Sequence, residues 1–242
     1  MHVFADALAV AQALARRLAD AIAVHPDLVV GLPTGRTPIL FYRQLVALFR
    51  AGQVDFTRVT TFNLDEFLGL PASHPASYRT FMEQHLFAHV NIDRRRIHFL
   101  NGAAADPAGE CERYEGAIAA AGGIDLQILG IGTNGHVGFN EPAPELDART
   151  HRVTLKPETR RNNAALFGGN PEAVPAEALS MGMGTILRAR ALVLIATGGT
   201  KASCVERAVR GGVSTSLPAS FLQLHPDADV MVDEPAAATL RP

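Results

Sequence analysis

Leu8, Ala11, Ala15, Leu18 and Ile22 recur three or four positions apart. That spacing predicts an amphipathic helix over about 6–24, with Asp6 as its N-cap. His25-Pro26-Asp27 breaks the pattern, and Leu28-Val29-Val30-Gly31-Leu32 follows as a wholly apolar run. A run without polar alternation suits a strand buried on both faces, as in a parallel sheet. The alternation then repeats. Helices are expected over about 38–51, 77–89, 108–121 and 200–210, and strands over about 58–64, 96–100, 124–129, 191–197 and 230–232. Strand and helix in turn from end to end predict an α/β fold. The expectation is a single-domain, Rossmann-like, doubly wound chain over 1–242, with a mostly parallel sheet and helices on both faces.

Composition narrows the function. A length of 242 residues allows one large domain or two small ones. No Pro-, Gly- or Ser-rich linker and no repeat divides the chain, so one domain is expected. Net charge is −2, from 22 basic and 24 acidic residues, which speaks against a nucleic-acid partner. Hydrophobic residues at 48% and charged residues at 19% are those of a globular chain. No apolar run reaches about 18 residues, so no membrane span is expected. The start lacks the basic region of a signal peptide. Cys111 and Cys204 form no CxxC and read as free buried thiols of a reducing compartment, hence a cytoplasmic protein.

In open parallel sheets, ligands bind beyond the carboxyl ends of the strands, so the segments that follow the strands matter most. After the first comes Pro33-Thr34-Gly35-Arg36-Thr37-Pro38. Thr37 suits an N-cap, Pro38 a first helical turn, and Gly35 a sharp turn or a close backbone approach. A helix N-terminus with Arg36 beside it can hold a phosphate, although an ordinary strand–turn–helix reads the same way. After the second comes Asn63-Leu64-Asp65-Glu66-Phe67. Adjacent acids at a strand end are placed as general bases are, but successive side chains face opposite ways, so one of the two is structural. A solvated acidic turn is the plain alternative.

After 124–129 comes Gly130-Ile131-Gly132-Thr133-Asn134-Gly135-His136. It matches GxGxxG, yet the dinucleotide fingerprint needs a helix opening inside the motif. Here Val137-Gly138-Phe139-Asn140-Glu141-Pro142 follows and opens none, so that reading is rejected. His136 and Glu141 are the reactive side chains of the loop, a histidine and a carboxylate suited to acid–base work, or else a core histidine satisfied by backbone. After 191–197 comes Gly198-Gly199-Thr200-Lys201, with Thr200 as a cap and Lys201 in the first turn, arranged as a second anion contact. It is not a Walker A sequence. His85 and His89 lie four apart without a third ligand and read as a solvated helix face, with no metal expected. Arg94-Arg95-Arg96 reads as a solvated turn, and no GxSxG nucleophile elbow is present.

Further stretches carry a resemblance: Leu-Pro-Thr-Gly-x-Thr-Pro at 32–38, Thr-Phe-Asn-Leu-Asp-Glu-Phe-x-Gly-Leu at 61–70 and His-Pro-x-Ser-Tyr at 74–78. So do Gly-Gly-Ile-Asp-Leu at 122–126, Gly-Ile-Gly-x-Asn-Gly-His-x-x-Phe-Asn-Glu-Pro at 130–142 and Ala-Leu-Ser-Met-Gly-Met-Gly-Thr-Ile at 178–186. Together with the 197–202 turn, they span nearly the whole chain, which resembles the glucosamine-6-phosphate deaminase (isomerising) family, in its short bacterial branch. The resemblance implies that Asp65 moves a proton between C2 and C1 of the open-chain amino sugar, that His136 assists ring opening, and that Glu141 orients and tunes His136. It implies a phosphate held by Thr34, Gly35, Arg36, Thr37 and Lys201, and a reaction from D-glucosamine 6-phosphate and water to D-fructose 6-phosphate and ammonia. It implies no organic cofactor and no catalytic metal, a small sugar phosphate as partner, and a monomer or small homo-oligomer.

Three positions depart from the family pattern. Asn134 stands where many members carry the Asp of an Asp–His–Glu set. Ala165 stands where the family has a phosphate-gripping Arg, while Arg36 replaces a Gly or Ser. The expectation is a swap, with Arg36 supplying the missing guanidinium. The family's longer, hexameric branch builds an allosteric site partly from basic residues after the Asn-Glu-Pro loop. Here the stretch reads Arg149-Thr150-His151-Arg152-Val153 and the chain stops at Leu240-Arg241-Pro242, so no activation by N-acetylglucosamine 6-phosphate is expected. Residues 142–175 are rich in Pro, Gly and polar side chains, the composition of a loop that can cover a site. The alternatives are a related sugar-phosphate enzyme, such as a galactosamine-6-phosphate isomerase or a 6-phosphogluconolactonase, or a non-catalytic sensor. Asp65, His136 and Glu141 are all present, which weighs against the sensor.

Overall fold

The computed structural model describes residues 1–240, so Arg241 and Pro242 of the C-terminal stretch lie outside the described residues. Seven strands form one parallel sheet: β1 (His2–Phe4), β2 (Val29–Leu32), β3 (Thr60–Asn63), β5 (Ile97–His98), β6 (Leu126–Gly130), β9 (Ala191–Ala196) and β10 (Ala228–Asp233). Their order is β1-β10-β9-β6-β2-β3-β5, and every pairing is parallel. The remaining strands, β4 (Asp65–Phe67), β7 (His151–Thr154) and β8 (Glu177–Ser180), form a small antiparallel sheet ordered β4-β8-β7.

The helices are α1 (Ala7–Val24), α2 (Pro38–Arg50), α3 (Tyr78–His85), α4 (Pro107–Ala120), α5 (Pro157–Asn163), α6 (Met183–Leu187) and α7 (Ala202–Arg210). On one face of the large sheet, Val193 and Ile195 of β9 and Val30 and Leu32 of β2 pack with Leu14 and Leu18 of α1 and Phe41 and Leu45 of α2. On the other, Leu192 and Leu194 of β9 pack with Tyr114 of α4 and Val205 of α7. Alternate residues of one strand thus enter two different cores, which is why the strand sequences are continuously apolar.

Helix α1 begins as expected: Asp6 is extended and its Oδ1 accepts from Ala9 N at 2.8 Å. Two other caps differ from expectation. Thr37 has helical dihedrals (φ −59°, ψ −47°), and its side chain caps nothing. A capping hydroxyl needs an extended backbone to reach the N–H groups ahead of it. Thr200 lies inside a short 3-10 turn (Gly199–Lys201), so Lys201 precedes α7 and that helix too lacks a side-chain cap. Arg94–Arg96 forms a 3-10 turn at the surface, where Arg95 pairs with Asp93 and Arg94 with Glu83. His85 ends α3 while His89 lies in the following 3-10 turn with Nε2 at 2.9 Å from Gln84 O, so the two share no helical face. Cys111 and Cys204 are free and buried.

The second expected strand ends at Asn63, and Asp65–Phe67 forms a separate strand that was not expected. After Asn63 the chain leaves the large sheet, and Asp65 pairs antiparallel with Ser180 in the small one. Leu64 is the pivot: its N–H donates to Leu32 O (3.4 Å) in the large sheet, and its carbonyl accepts from Met181 N (2.7 Å) beside the small one. Strands β1, β7 and β8 and helices α5 and α6 carry no periodic signal long enough to be expected. Strands β7 and β8 are four residues each, and β7 is half exposed along its length.

Candidate active site

The four segments singled out by sequence follow β2, β3, β6 and β9, which are neighbours in the middle of the sheet. Since the strands are parallel, all four segments emerge at one edge. From β2 the chain moves outward to β3 and β5, then returns to place β6 on the other side of β2. The crevice at such a switch in direction is where ligands bind in this class of sheet.

Asp65 and Glu66 have different surroundings. Glu66 accepts from the N–H groups of Phe67 (2.9 Å), Tyr78 (3.0 Å) and Arg79 (3.0 Å) and so anchors the start of α3. Its burial raises the carboxyl to about 7, and the three backbone donors oppose that rise. Glu66 also borders a cleft of about 580 Å3 between α3 and residues 97–102, which Asp65, His136, Glu141 and Lys201 do not line. Asp65 is 6% exposed, and its Oδ1 is buried without a hydrogen-bond partner among the described residues. Burial first, and then the charge of Glu66, push its pKa up to about 8. An unpaired, desolvated carboxylate at a strand end is available to take a proton.

The loop after β6 is tied over this carboxylate. Phe139 N donates to Ser180 Oγ at 3.1 Å, and Ser180 is the residue paired with Asp65. A Cβ placed on Gly138 would lie 3.5 Å from Asp65 Oδ2, so the loop backbone passes close to Asp65. Asn140 Nδ2 donates to Val137 O (2.9 Å) and Met181 O (2.8 Å), which closes the loop on itself and on the segment after β8. Gly132 is required for another reason: a Cβ there would lie 2.2 Å from Cε1 of His136, so the imidazole rests against bare backbone.

His136 Nδ1 is 3.7 Å from Glu141 Oε2 and has no hydrogen-bond partner among the described residues. The same Oε2 accepts from Asn134 Nδ2 at 2.9 Å, and Asn134 Oδ1 in turn accepts from His136 N at 3.1 Å. Burial chiefly lowers the His136 pKa. The negative charges of Glu141 and Glu158 oppose this, and Lys201 and Lys156 reinforce it.

At the mouth of the crevice, Gly35 turns the chain with φ +100° and Arg36 is exposed. The Tyr42 hydroxyl donates to Pro33 O and fixes the start of that turn. Lys201 Nζ donates to Ile131 O at 2.8 Å, which brings the β9 turn against the β6 loop. Burial, followed by the nearby Arg36 guanidinium, lowers the Lys201 pKa. Arg36 and Lys201 thus lie near enough for their charges to interact. Ala165 is exposed in a 3-10 turn (Ala164–Phe167).

Several residues of this site were not reached from sequence. Tyr78 belonged to a quoted motif without a role. It is buried, hydrogen-bonds Asn163 Oδ1 (3.0 Å), and feels the Thr34 side chain and the Asp65 charge. Its ring packs with Phe67 and Phe139 beneath the site. Asp233 accepts from Gly198 N (2.9 and 3.0 Å) and holds the turn that carries Lys201. Thr159 donates to Glu141 Oε1 from α5. No local pattern marks Asp233 or Thr159, because each acts on a residue far away in sequence.

Comparison with known proteins bears on this site. A family model described as glucosamine-6-phosphate isomerases/6-phosphogluconolactonase matches residues 5–231. A glucosamine-6-phosphate deaminase of Halothermothrix orenii is 48% identical over 223 residues, covering 92% of each chain. The solved structure of a monomeric glucosamine-6-phosphate deaminase superposes with a TM-score of 0.94 at 42% identity and 100% coverage of both chains. A 6-phosphogluconolactonase of Trypanosoma cruzi matches with a TM-score of 0.75 at 18% identity, covering 100% of this chain and 96% of the other, a likeness of fold alone.

Proposed function

The chain belongs to the glucosamine-6-phosphate isomerase/6-phosphogluconolactonase family, and on that premise we propose that it converts D-glucosamine 6-phosphate and water to D-fructose 6-phosphate and ammonia. The observation that carries this reading is Asp65: a buried carboxylate with a free oxygen, under the loop that bears His136 and Glu141.

His136 takes the proton of the sugar's C1 hydroxyl and returns one to the ring oxygen, which opens the ring. The lowered pKa of His136 keeps the imidazole neutral at pH 7, as the first of these steps needs. Glu141, steadied by Asn134, faces the imidazole as it gains charge. Asp65, in the ionised fraction left at pH 7 by its pKa of about 8, then removes the C2 proton and delivers it to C1. This turns the 2-amino aldehyde into an enolamine and then a C2 imine. Water adds at C2, ammonia leaves, and the ketone remains. Side chains and water suffice for every step. A lactone hydrolysis needs no carbon base and would leave Asp65 without a task.

The phosphate is gripped by Thr34, Gly35, Arg36 and Thr37 at the uncapped start of α2, and by Lys201 across the crevice. Binding at this remote end holds C1 and C2 over Asp65. The exposed Arg36 beside Lys201 supplies the guanidinium that Ala165 lacks. In the 149–153 stretch, Arg152 pairs with Glu177 (2.6 Å) and His151 Nε2 lies 3.6 Å from Asp147. That supports hyperbolic kinetics without activation by N-acetylglucosamine 6-phosphate. The enzyme acts as a monomer in the cytoplasm, where a doubly charged sugar phosphate is retained. The test is release of ammonia and fructose 6-phosphate from glucosamine 6-phosphate, with galactosamine 6-phosphate and 6-phosphogluconolactone alongside. Ammonia from the first alone is expected. Turnover of the lactone in its place, or binding without turnover, would overturn the reading.

A further inference from the structure

The segment between β7 and β8 carries α5, and three side-chain bonds fasten α5 and its approach to the catalytic loop. Lys156 Nζ donates to Pro142 O, Thr133 Oγ1 donates to Glu158 Oε1 (3.2 Å), and Thr159 Oγ1 donates to Glu141 Oε1. The last differs from the others. Thr159 is 1% exposed, Glu141 is itself buried, and the bond ends on the carboxylate that faces His136. Both oxygens of Glu141 are thereby engaged by neutral donors from different elements, Oε1 by Thr159 of α5 and Oε2 by Asn134 of its own loop.

We infer that Thr159 is a positioning residue for the acid–base pair, holding the Glu141 carboxylate off the His136 imidazole from across the α5 interface. The inference rests on the deaminase reading for its catalytic meaning, but the geometry stands independently of turnover. A hydroxyl donor disperses the charge of the carboxylate it serves. With it removed, the Glu141 carboxylate is free to close the 3.7 Å gap to Nδ1, and the protonated imidazole is favoured. The other charges facing His136 are Lys201 from the β9 turn, Glu158 on α5 and Lys156 just before it. A Thr159 substitution leaves all three in the chain, so any movement of the His136 titration is attributable to Glu141.

The test is the titration of the His136 imidazole by NMR in wild type, Thr159→Val and Thr159→Ser, with His136→Gln identifying its signal among the nine histidines. Valine keeps the shape and removes the donor; serine keeps the donor. The midpoint is expected to rise by about half a pH unit in the valine variant and to return in the serine variant. The lower break in log kcat/KM against pH should move with it. A merely structural Thr159 would lower activity or melting temperature without moving the midpoint, and that result would overturn the inference. If the valine protein does not fold, Thr159→Ala removes the same donor without a branched side chain and is judged by the same midpoint. The midpoint needs no turnover, so a failure here is separate from a failure of the deaminase assay.

Discussion

The amide of Asn134 donates to Oε2 of Glu141 at 2.9 Å, while the same oxygen lies 3.7 Å from the imidazole of His136. A neutral donor thus holds a position from which a second carboxylate would act on the same histidine. Asn134→Asp adds a negative charge there and favours the imidazolium, so the His136 midpoint should rise by about half a unit or more. NMR titration of the ring measures it; an unchanged midpoint would remove Asn134 from the tuning of this pair.

Asp65 offers a coupled test of activity and stability. Burial holds its pKa at about 8, against about 4 in an unfolded chain. The folded state therefore keeps a proton that the unfolded state releases, and stability falls as pH rises from about 4 to about 8. Asparagine cannot ionise, so Asp65→Asn should melt above wild type at pH 9, with a smaller difference at pH 4. Deaminase turnover should fall by about two to four orders of magnitude. A variant that keeps full activity would exclude Asp65 as the base.

Glu66 should behave in the opposite way. Three backbone N–H groups depend on it, so Glu66→Ala should cost about 1–3 kcal/mol in urea unfolding. It also removes the charge that, after burial, raises Asp65. The pH at which log kcat/KM stops rising as Asp65 ionises should then move lower, and a shift upward would contradict the assignment.

Arg36 is tested by substrate affinity. Arg36→Ala should raise KM for glucosamine 6-phosphate about tenfold, the loss of one charge-assisted contact, while kcat changes little. An unchanged KM would mean that the start of α2 and Lys201 hold the phosphate without it.

Apart from the exposed edge strand β1, the large sheet was legible in the sequence because its strands are largely buried on both faces. Val29 to Leu32 and Ala191 to Ala196 read as unbroken apolar runs, with a helical period between such runs. Parallel strands then bring the segments after β2, β3, β6 and β9 to one edge, so the candidate residues could be gathered before any coordinates. The sequence also required that Asp65 and Glu66 part ways, since neighbours on a strand face opposite sides. Which of them anchors α3 depends on where Tyr78 and Arg79 lie, and that is a tertiary fact.

The small sheet was not legible. Strands β4, β7 and β8 are three or four residues long; β4 pairs with β8 across more than a hundred positions of chain, and β7 with β8 across more than twenty. No local period can specify such a partner. Tertiary structure alone decides that Ser180 pairs with Asp65 and ties down Phe139, that Asp233 steadies the Lys201 turn, and that Thr159 reaches Glu141. The physical reason is common to all of them. Local propensity and hydrophobic period set which segments become strands and helices and what chemistry follows each. The orientation of a reactive side chain is set by hydrogen bonds from distant residues, and these exist only once the packed layers have brought them into contact.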